Sequence, residues 1–359
     1  MELPNHGANP LRLYKQAGIS PPLHILDFSE NVHPFGPPDF LVEQWPEMLA
    51  LTGSYPDPDG EPFRTAAADY HGVAVNQIAA GNGAAEIFTW LARRYREQHV
   101  VLIEPAFSEY RQSLEAENVR IKEIQLHPEN GWRLTVQNVQ EAISGCAALY
   151  ICNPHNPTGT LLDLDTLQEI AQICLNNDCE LVIDEAFIDF VDEEASFMPF
   201  MKNFPNVIIV RSMTKMYAIP GLRLGYVVSQ ADKITSLKQG AAHWNVNALS
   251  AAIGSQCLDE AAYRSKVIAA ATEERRKMQQ FLASNHCRTS DSAVNFLTFQ
   301  LPNPESSPSF FTELLKTGIV LRHTESFRGM DGKWFRIGMK STENMERLRE
   351  AIKGWLEAN

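Results

Sequence analysis

Between about residues 75 and 230 the chain alternates short apolar runs with longer segments of helical periodicity. The apolar runs are nearly continuous in hydrophobic residues, as in strands buried on both faces, and each ends in a polar or turn residue. Such alternation predicts an α/β fold, in which helices cover both faces of a mainly parallel sheet. The predicted strands are HVVLIE (99–104), AALYIC (147–152), ELVIDEA (180–186) and NVIIVR (206–211), and the predicted helices include 84–98 and 165–178, the second with Asp165 as its N-cap.

The pattern changes at about residue 260, where a long charged helix leads into short strands, another helix and a final helix. This change predicts a smaller α+β domain, and 359 residues are enough for one large and one small domain. We therefore predict an N-terminal arm with part of the small domain at 1–45, the large domain at 46–250 and the small C-terminal α+β domain at 251–359.

Composition argues against several kinds of partner. With 44 acidic and 31 basic residues the chain has a formal net charge of −13, which disfavours a nucleic-acid surface. No apolar run approaches the ~18 residues of a membrane span, and the first residues lack the pattern of a signal peptide, so we expect no membrane partner. The six cysteines form no CxxC pair and no zinc pattern, which favours free thiols in a cytoplasmic protein without a metal.

Residues with useful chemistry follow the predicted strands. Ligands bind at the carboxyl ends of strands in an open α/β sheet, so side chains at these ends can meet in one crevice. An aromatic ring, an amide, a carboxylate, a hydroxyl and an amine are found there, on Phe107, Asn156, Asp184, Ser212 and Lys215.

This set matches the needs of a pyridoxal 5′-phosphate site. Lys215 would supply the amine that condenses with the aldehyde, and Asp184 the carboxylate that faces the pyridine nitrogen. Phe107 would stack on the ring, and Asn156 would donate to the phenolic oxygen.

The cofactor phosphate also needs ligands, and a helix N-terminus with a guanidinium suits it. The GNGAAE turn (81–86) opens a predicted helix, so the backbone N–H groups of Gly83 and Ala84 are candidates. Ser212 and Arg223 would bind the phosphate directly.

Each of these residues also has an ordinary structural interpretation, and two other site classes fit parts of the pattern. Ser212 and Lys215 with the KTG at 316–318 resemble the SxxK and KTG pair of serine β-lactamases, but no SxN element lies between them. ELVIDEA resembles a Walker-B strand, but the chain has no GxxxxGK[ST] phosphate loop. We therefore favour the pyridoxal-phosphate interpretation.

Over essentially its whole length the chain resembles the fold-type-I pyridoxal-phosphate enzymes, in the aminotransferase branch. The motifs HNPTG (155–159), VIDEAF (182–187), SxxK (212–215) and GLRLGY (221–226) carry this resemblance. It implies a mainly parallel seven-stranded sheet, and it places Arg336 where that branch binds a substrate α-carboxylate. It places Tyr55 where a tyrosine reaches the cofactor phosphate of a neighbouring subunit, which implies a homodimer with shared active sites. Phe187 stands near the cofactor where many of these enzymes have tyrosine.

Two subfamilies of this branch compete, the histidinol-phosphate aminotransferases and the L-threonine-O-3-phosphate decarboxylases of cobalamin synthesis. The sequence looks more like the decarboxylases, which implies a phosphorylated amino acid as the substrate. We predict that the substrate is held by His6, Gly7 and Asn9 of the N-terminal arm, by Asn156, and by Arg322 and Arg336 on neighbouring small-domain strands. The stretches that favour the decarboxylases are HGAN (6–9), DFSENVHPFGPP (27–38), DEAFIDF (184–190), SMTKMYAIPGLRLGY (212–226), WNVNALS (244–250) and FRGMDG (327–332).

Overall fold

The computed structural model describes residues 3–4 and 6–359. The strands within these residues lie mainly in the middle and the C-terminal third of the chain. They are β1 (Leu26–Asp27), β2 (Ile78–Gly81), β3 (His99–Glu104), β4 (Arg120–Gln125), β5 (Ala148–Cys152), β6 (Glu180–Asp184), β7 (Val207–Ser212), β8 (Gly225–Val228), β9 (Arg288–Thr289), β10 (Phe296–Gln300), β11 (Ile319–Val320), β12 (Arg322–His323) and β13 (Phe335–Gly338).

The α-helices precede, connect and follow these strands. They are α1 (Pro10–Ala17), α2 (Asp39–Glu43), α3 (Trp45–Ala50), α4 (Phe63–His71), α5 (Ala84–Arg94), α6 (Ser108–Ala116), α7 (Val136–Ala142), α8 (Leu164–Asn176), α9 (Ala231–Lys238), α10 (Ala248–Cys257), α11 (Ala261–Ser284), α12 (Ser307–Lys316) and α13 (Thr342–Ala358).

The large domain is built on a seven-stranded sheet of order β2-β8-β7-β6-β5-β3-β4. All pairings are parallel except those of β8, which runs antiparallel to β2 and to β7. Side chains on the central strands alternate between two hydrophobic cores, as the two-residue period of a strand requires. Ala148 and Tyr150 of β5 face the core formed with α5, α6 and α9, whereas Leu149 and Ile151 face the core formed with α4, α7, α8 and α10.

The small domain has its own core and an antiparallel sheet of order β12-β13-β10-β9. The N-terminal region joins it, because β1 pairs in parallel with β11 and Tyr14 of α1 is buried in the same core. The predicted unit 1–45 is therefore divided, because Phe40 and Leu41 of α2 pack against the large-domain core instead. The proposed limit between 250 and 251 falls inside α10, whose buried residues pack in the large-domain core.

Two predicted helix ends were wrong. Asp163, not Asp165, caps α8, because its carboxylate accepts a hydrogen bond from Thr166 N at 2.8 Å while Asp165 lies in the first turn. The helix predicted at 84–98 stops at Arg94, and Glu97 just beyond it has a left-handed backbone with φ 61°.

Two further predictions concern the chain as a whole. The six cysteines are all free, as predicted, and all of them are buried. In the described part of the chain, no helix has the length and apolarity needed to cross a membrane.

Candidate active site

A cavity of about 480 Å³ lies at the carboxyl ends of the central parallel strands, next to the small domain. The structure brings most of the predicted site residues to its wall. Phe107, Asn156, Asp184, Lys215 and Arg223 line it from the large domain, as do Ala84 and Phe187. Arg336 lines it from the small domain, and His6 and Gly7 from the N-terminal arm.

Lys215 lies in the loop directly after β7, so the end of this strand fixes its position. Its Nζ donates a hydrogen bond to Ser212 Oγ at 3.1 Å and lies 5.7 Å from the centre of the Phe187 ring. Burial lowers the pKa of Lys215 from 10.5 to about 8, although the Asp184 carboxylate acts in the opposite direction. A lysine of this kind offers a neutral, nucleophilic amine close to neutral pH.

Asp184 is the last residue of β6 and is only 6% exposed. Its Oδ2 accepts a hydrogen bond from the Tyr110 hydroxyl, and its Oδ1 accepts one from Ala186 N at 2.9 Å. Burial raises the pKa of this carboxyl, whereas both hydrogen bonds and the Lys215 charge lower it. A carboxylate held in this way can face a protonated ring nitrogen.

The turn before α5 and the Arg223 side chain together form a cradle of donors. Gly83 has φ 77° and ψ 165°, a conformation that glycine adopts almost alone, and it starts α5. A Cβ at Gly83 would lie 2.8 Å from Arg223 Nη2, so the guanidinium lies against this turn. A Cβ at Gly225 would lie 2.6 Å from Ala84 N, so β8 also approaches the turn closely.

The donors of this cradle suit a phosphate, because a helix N-terminus and a guanidinium both favour an anion. The hydroxyl of Ser212 is buried at the end of β7, where it lies 2.9 Å from Thr214 Oγ1 as well as near Lys215. With Asp184 and Lys215 on the same cavity, the residues present fit pyridoxal 5′-phosphate.

Arg322 and Arg336 are direct partners in the antiparallel pairing of β12 with β13. Both side chains are buried, and burial lowers the pKa of Arg336 to about 9 and that of Arg322 to about 10. Arg336 Nη1 donates to Asn156 Oδ1 at 2.6 Å and its Nη2 to Ser29 O at 3.1 Å. Its Nε has no hydrogen-bond partner among the described residues, so one buried donor remains for a ligand.

Arg322 does not line the main cavity but a small neighbouring one, together with His6, Gly7 and Asn9. Its Nη2 donates to Ser326 Oγ at 2.6 Å, and its guanidinium lies 5.0 Å from the centre of the Phe327 ring.

The N-terminal arm connects the two cavities. His6 lines both of them, and its Nε2 lies 3.2 Å from Glu109 Oε1. Gly7 passes so close to Ser29 that a Cβ would lie 2.5 Å from Ser29 O. Asn9 caps α1, since its side chain accepts from Arg12 N at 3.2 Å, and it does not reach the main cavity.

Two predicted aromatic residues line the cavity and a third is remote from it. Phe107 precedes α6, and Phe187 packs edge-on against Phe296 with ring centres 4.9 Å apart. Tyr55 is 85% exposed and contacts Trp244, with ring centres 5.2 Å apart. In a single subunit Tyr55 therefore lies outside the cavity.

The sequence interpretation missed Tyr110 and Glu109, which both lie in the first turn of α6. For Tyr110 the available signal was its spacing of three residues from Phe107, because residues three apart on a helix share a face. Glu109, two residues from Phe107, gave no such signal. Among the described residues, no group of three or more His, Cys, Asp or Glu side chains could hold a metal ion.

Comparisons with known proteins extend these observations. A model of the family described as Aminotransferase class I and II matches residues 24–352. The chain is 32% identical to a threonine-phosphate decarboxylase from Salmonella typhimurium over 353 residues, which cover 98% of this chain and 96% of that protein.

Solved structures show the same fold. The histidinol-phosphate aminotransferase from Clostridium acetobutylicum matches with a TM-score of 0.88 and 26% identity, covering 93% of this chain and 100% of that one. The histidinol-phosphate aminotransferase from Sinorhizobium meliloti was solved in complex with pyridoxal-5′-phosphate. It matches with a TM-score of 0.86 and 20% identity, covering 98% of this chain and 95% of that one. The predicted α/β fold with a seven-stranded, mainly parallel sheet is thus confirmed.

Proposed function

The chain belongs to the class I and II aminotransferase family of pyridoxal-phosphate-dependent enzymes, and from this premise we propose that it decarboxylates L-threonine O-3-phosphate. The product would be (R)-1-amino-2-propanol O-2-phosphate, an intermediate for cobalamin biosynthesis. The similarity to the Salmonella typhimurium decarboxylase over nearly the full length of both proteins supports this choice.

The observation that carries the proposal is the pair of buried arginines on β12 and β13. Burial makes each of the two charges costly, and the charge of Arg322 adds to burial in lowering the pKa of Arg336. A ligand with two anionic groups relieves this cost, and threonine phosphate carries a carboxylate and a phosphate.

We assign the carboxylate to Arg336 and the phosphate to Arg322. Arg336 reaches into the main cavity, where it contacts Asn156 and keeps one donor without a partner among the described residues. Arg322 lines the smaller cavity with His6, Gly7 and Asn9. Because this cavity measures only about 10 Å³, we infer that the phosphate lies in the main cavity beside His6 and Gly7, which line both, with Arg322 on their far side.

When bound, the cofactor supplies an aldehyde for the substrate amine and a ring that accepts electrons. The residues of the chain bind and orient the substrate. Arg336 and Arg322 fix its rotamer about Cα, and this rotamer decides whether the carboxylate or the hydrogen is lost. Lys215 Nζ then returns a proton to Cα, and Phe107 and Phe187 cover apolar parts of the cavity and exclude water.

Histidinol-phosphate aminotransfer is the second candidate function. The structural match to the Clostridium acetobutylicum aminotransferase favours it, because it covers all of that chain. A transaminase also needs an anionic keto acid, for which the same arginines would serve.

A substrate panel tests the proposal. Purified protein with added pyridoxal phosphate should release carbon dioxide from threonine phosphate without a keto acid. It should release much less from threonine, which lacks the group that Arg322 would bind. Serine phosphate lacks only a methyl group, so about 1–3 kcal/mol of discrimination is expected against it. Glutamate formation from histidinol phosphate and 2-oxoglutarate, with no carbon dioxide from threonine phosphate, would establish the second candidate instead.

We also propose that the enzyme is a homodimer in which Tyr55 completes the partner's phosphate site. The exposure of Tyr55 and Trp244 supports this arrangement. Sedimentation should give a dimer, and Tyr55→Phe should weaken cofactor binding while leaving the dimer intact. A monomer with full cofactor affinity would disprove this arrangement.

A further inference from the structure

The carboxylate of Asp184 accepts hydrogen bonds from two donors on different segments of the chain. The Tyr110 hydroxyl donates to Oδ2 from α6, and the Ala186 N–H donates to Oδ1 at 2.9 Å from the chain after β6. A carboxylate has about four acceptor positions, so these two bonds orient it and leave others for a ligand. Asp184 also lines the main cavity.

Tyr110 is itself fixed by a cluster of aromatic rings. Its ring makes edge-on contacts with Phe88, Phe107 and Tyr150, with ring centres 4.6, 5.7 and 5.8 Å apart. Such contacts hold a ring in one orientation, so the hydroxyl has little freedom to leave Asp184. Phe107, the predicted stacking residue, is therefore in direct contact with the residue that holds the carboxylate.

The surroundings of Tyr110 keep its proton in place. Burial and the nearby Asp184 charge raise the pKa of Tyr110 well above 10, so the hydroxyl donates throughout the working range of pH. Among the described residues, the Cys152 thiol of β5 and the Lys215 amine also act on Asp184 electrostatically. Burial raises the pKa of the Cys152 thiol, so it stays neutral, and Lys215 favours the charged form of Asp184.

We propose that Tyr110 is a positioning residue that holds Asp184 as an oriented carboxylate and thereby sets the protonation state of the cofactor's pyridine nitrogen. This inference rests on the proposed binding of pyridoxal phosphate. A proton between the nitrogen and Asp184 belongs either to a pyridinium facing a carboxylate or to a neutral ring facing a carboxylic acid. The bond from Tyr110 stabilises the carboxylate, so it favours the proton on nitrogen.

The test is nitrogen NMR of holoenzyme loaded with cofactor that is ¹⁵N-labelled in the ring, because the shift reports protonation independently of turnover. In Tyr110→Phe the pH at which the nitrogen loses its proton should fall by about one unit, a roughly tenfold change in the ratio of the two forms. Asp184→Asn gives the reference for a nitrogen without its carboxylate. We expect kcat for decarboxylation to fall with a smaller change in KM.

Tyr150→Phe is the matched control, because the Tyr150 hydroxyl is buried in the same cluster and has no hydrogen-bond partner among the described residues. Its nitrogen resonance should titrate like that of the parent enzyme. An unchanged titration in Tyr110→Phe, or an equal change in both variants, would overturn the inference. The nitrogen titration needs bound cofactor but no turnover, so it can be measured even if threonine phosphate is not a substrate. The role of Tyr110 and the proposed decarboxylation are therefore tested independently.

Discussion

Replacing Gly83 by alanine tests the phosphate cradle, because two features of the structure oppose a side chain there. The backbone at Gly83 has φ 77° and ψ 165°, and a residue other than glycine in this region costs about 1–3 kcal/mol. The new Cβ would also lie 2.8 Å from Arg223 Nη2 and 3.3 Å from its Cζ, so the guanidinium has to move.

The two effects should appear in two measurements. We expect chemical denaturation of the cofactor-free protein to show a loss of about 1–3 kcal/mol in unfolding free energy, from the backbone strain. The displaced guanidinium loses a charge-assisted bond to the phosphate worth about 1.5–3 kcal/mol, so the Kd for pyridoxal phosphate should rise about ten- to a hundredfold. The Kd is measured by titration of the cofactor absorbance.

Gly221→Ala is the matched control in the neighbouring GLRLGY segment. No described atom lies within 4 Å of the Cβ it would add, and its φ is outside the left-handed region. Gly221→Ala should change neither the unfolding free energy nor the Kd for pyridoxal phosphate by much. If Gly83→Ala binds the cofactor as tightly as Gly221→Ala does, the cradle is not the phosphate site.

Four further predictions concern Lys215, Asp184 and Arg322. Lys215→Ala should abolish turnover and the yellow colour of a covalent cofactor linkage while still holding cofactor non-covalently, and full activity in this variant would refute the assignment. Because a pKa of about 8 leaves roughly two orders of magnitude more neutral amine at pH 7 than a pKa of 10.5, cofactor capture should accelerate up to about pH 8 and then level off. Asp184→Asn should lower the pH at which the rate of cofactor capture levels off, because the Asp184 carboxylate raises the pKa of Lys215. A capture rate in the parent enzyme that keeps rising to pH 10 would contradict the argument that burial lowers this pKa. Arg322→Gln should raise KM for threonine phosphate at least about tenfold with little effect on the Kd of pyridoxal phosphate, and equal effects on both constants would contradict its assignment to the substrate phosphate.

Four strands of the large sheet, β3, β5, β6 and β7, could be predicted because their apolar runs are short, nearly continuous and separated by helical segments. The edge strands β2 and β4 and the antiparallel β8 were not predicted individually. The carboxyl ends of parallel strands lie at one edge of the sheet, which predicts that Asn156, Asp184 and Lys215 lie close together. In the structure all three line one cavity. The roles of these residues came from chemistry and from the family resemblance, and they remain proposals.

What could not be predicted depends on contacts between distant segments. The hydrogen bond of Tyr110 to Asp184 joins residues 74 positions apart, and no periodicity in the sequence encodes it. The pairing of Arg322 with Arg336 depends on strand register, which a two-residue period alone does not fix. At α8 the sequence pattern predicted Asp165 as the cap, whereas the backbone geometry makes Asp163 the cap.

Threonine phosphate labelled with ¹³C in its carboxyl group gives the most direct test of the proposed reaction. Incubated with the holoenzyme and no keto acid, it should yield one ¹³CO₂ and one unlabelled aminopropanol phosphate for each substrate consumed, and Lys215→Ala should yield neither. Consumption of the labelled substrate only when 2-oxoglutarate is present, with the label kept in the organic product and glutamate formed, would contradict the account.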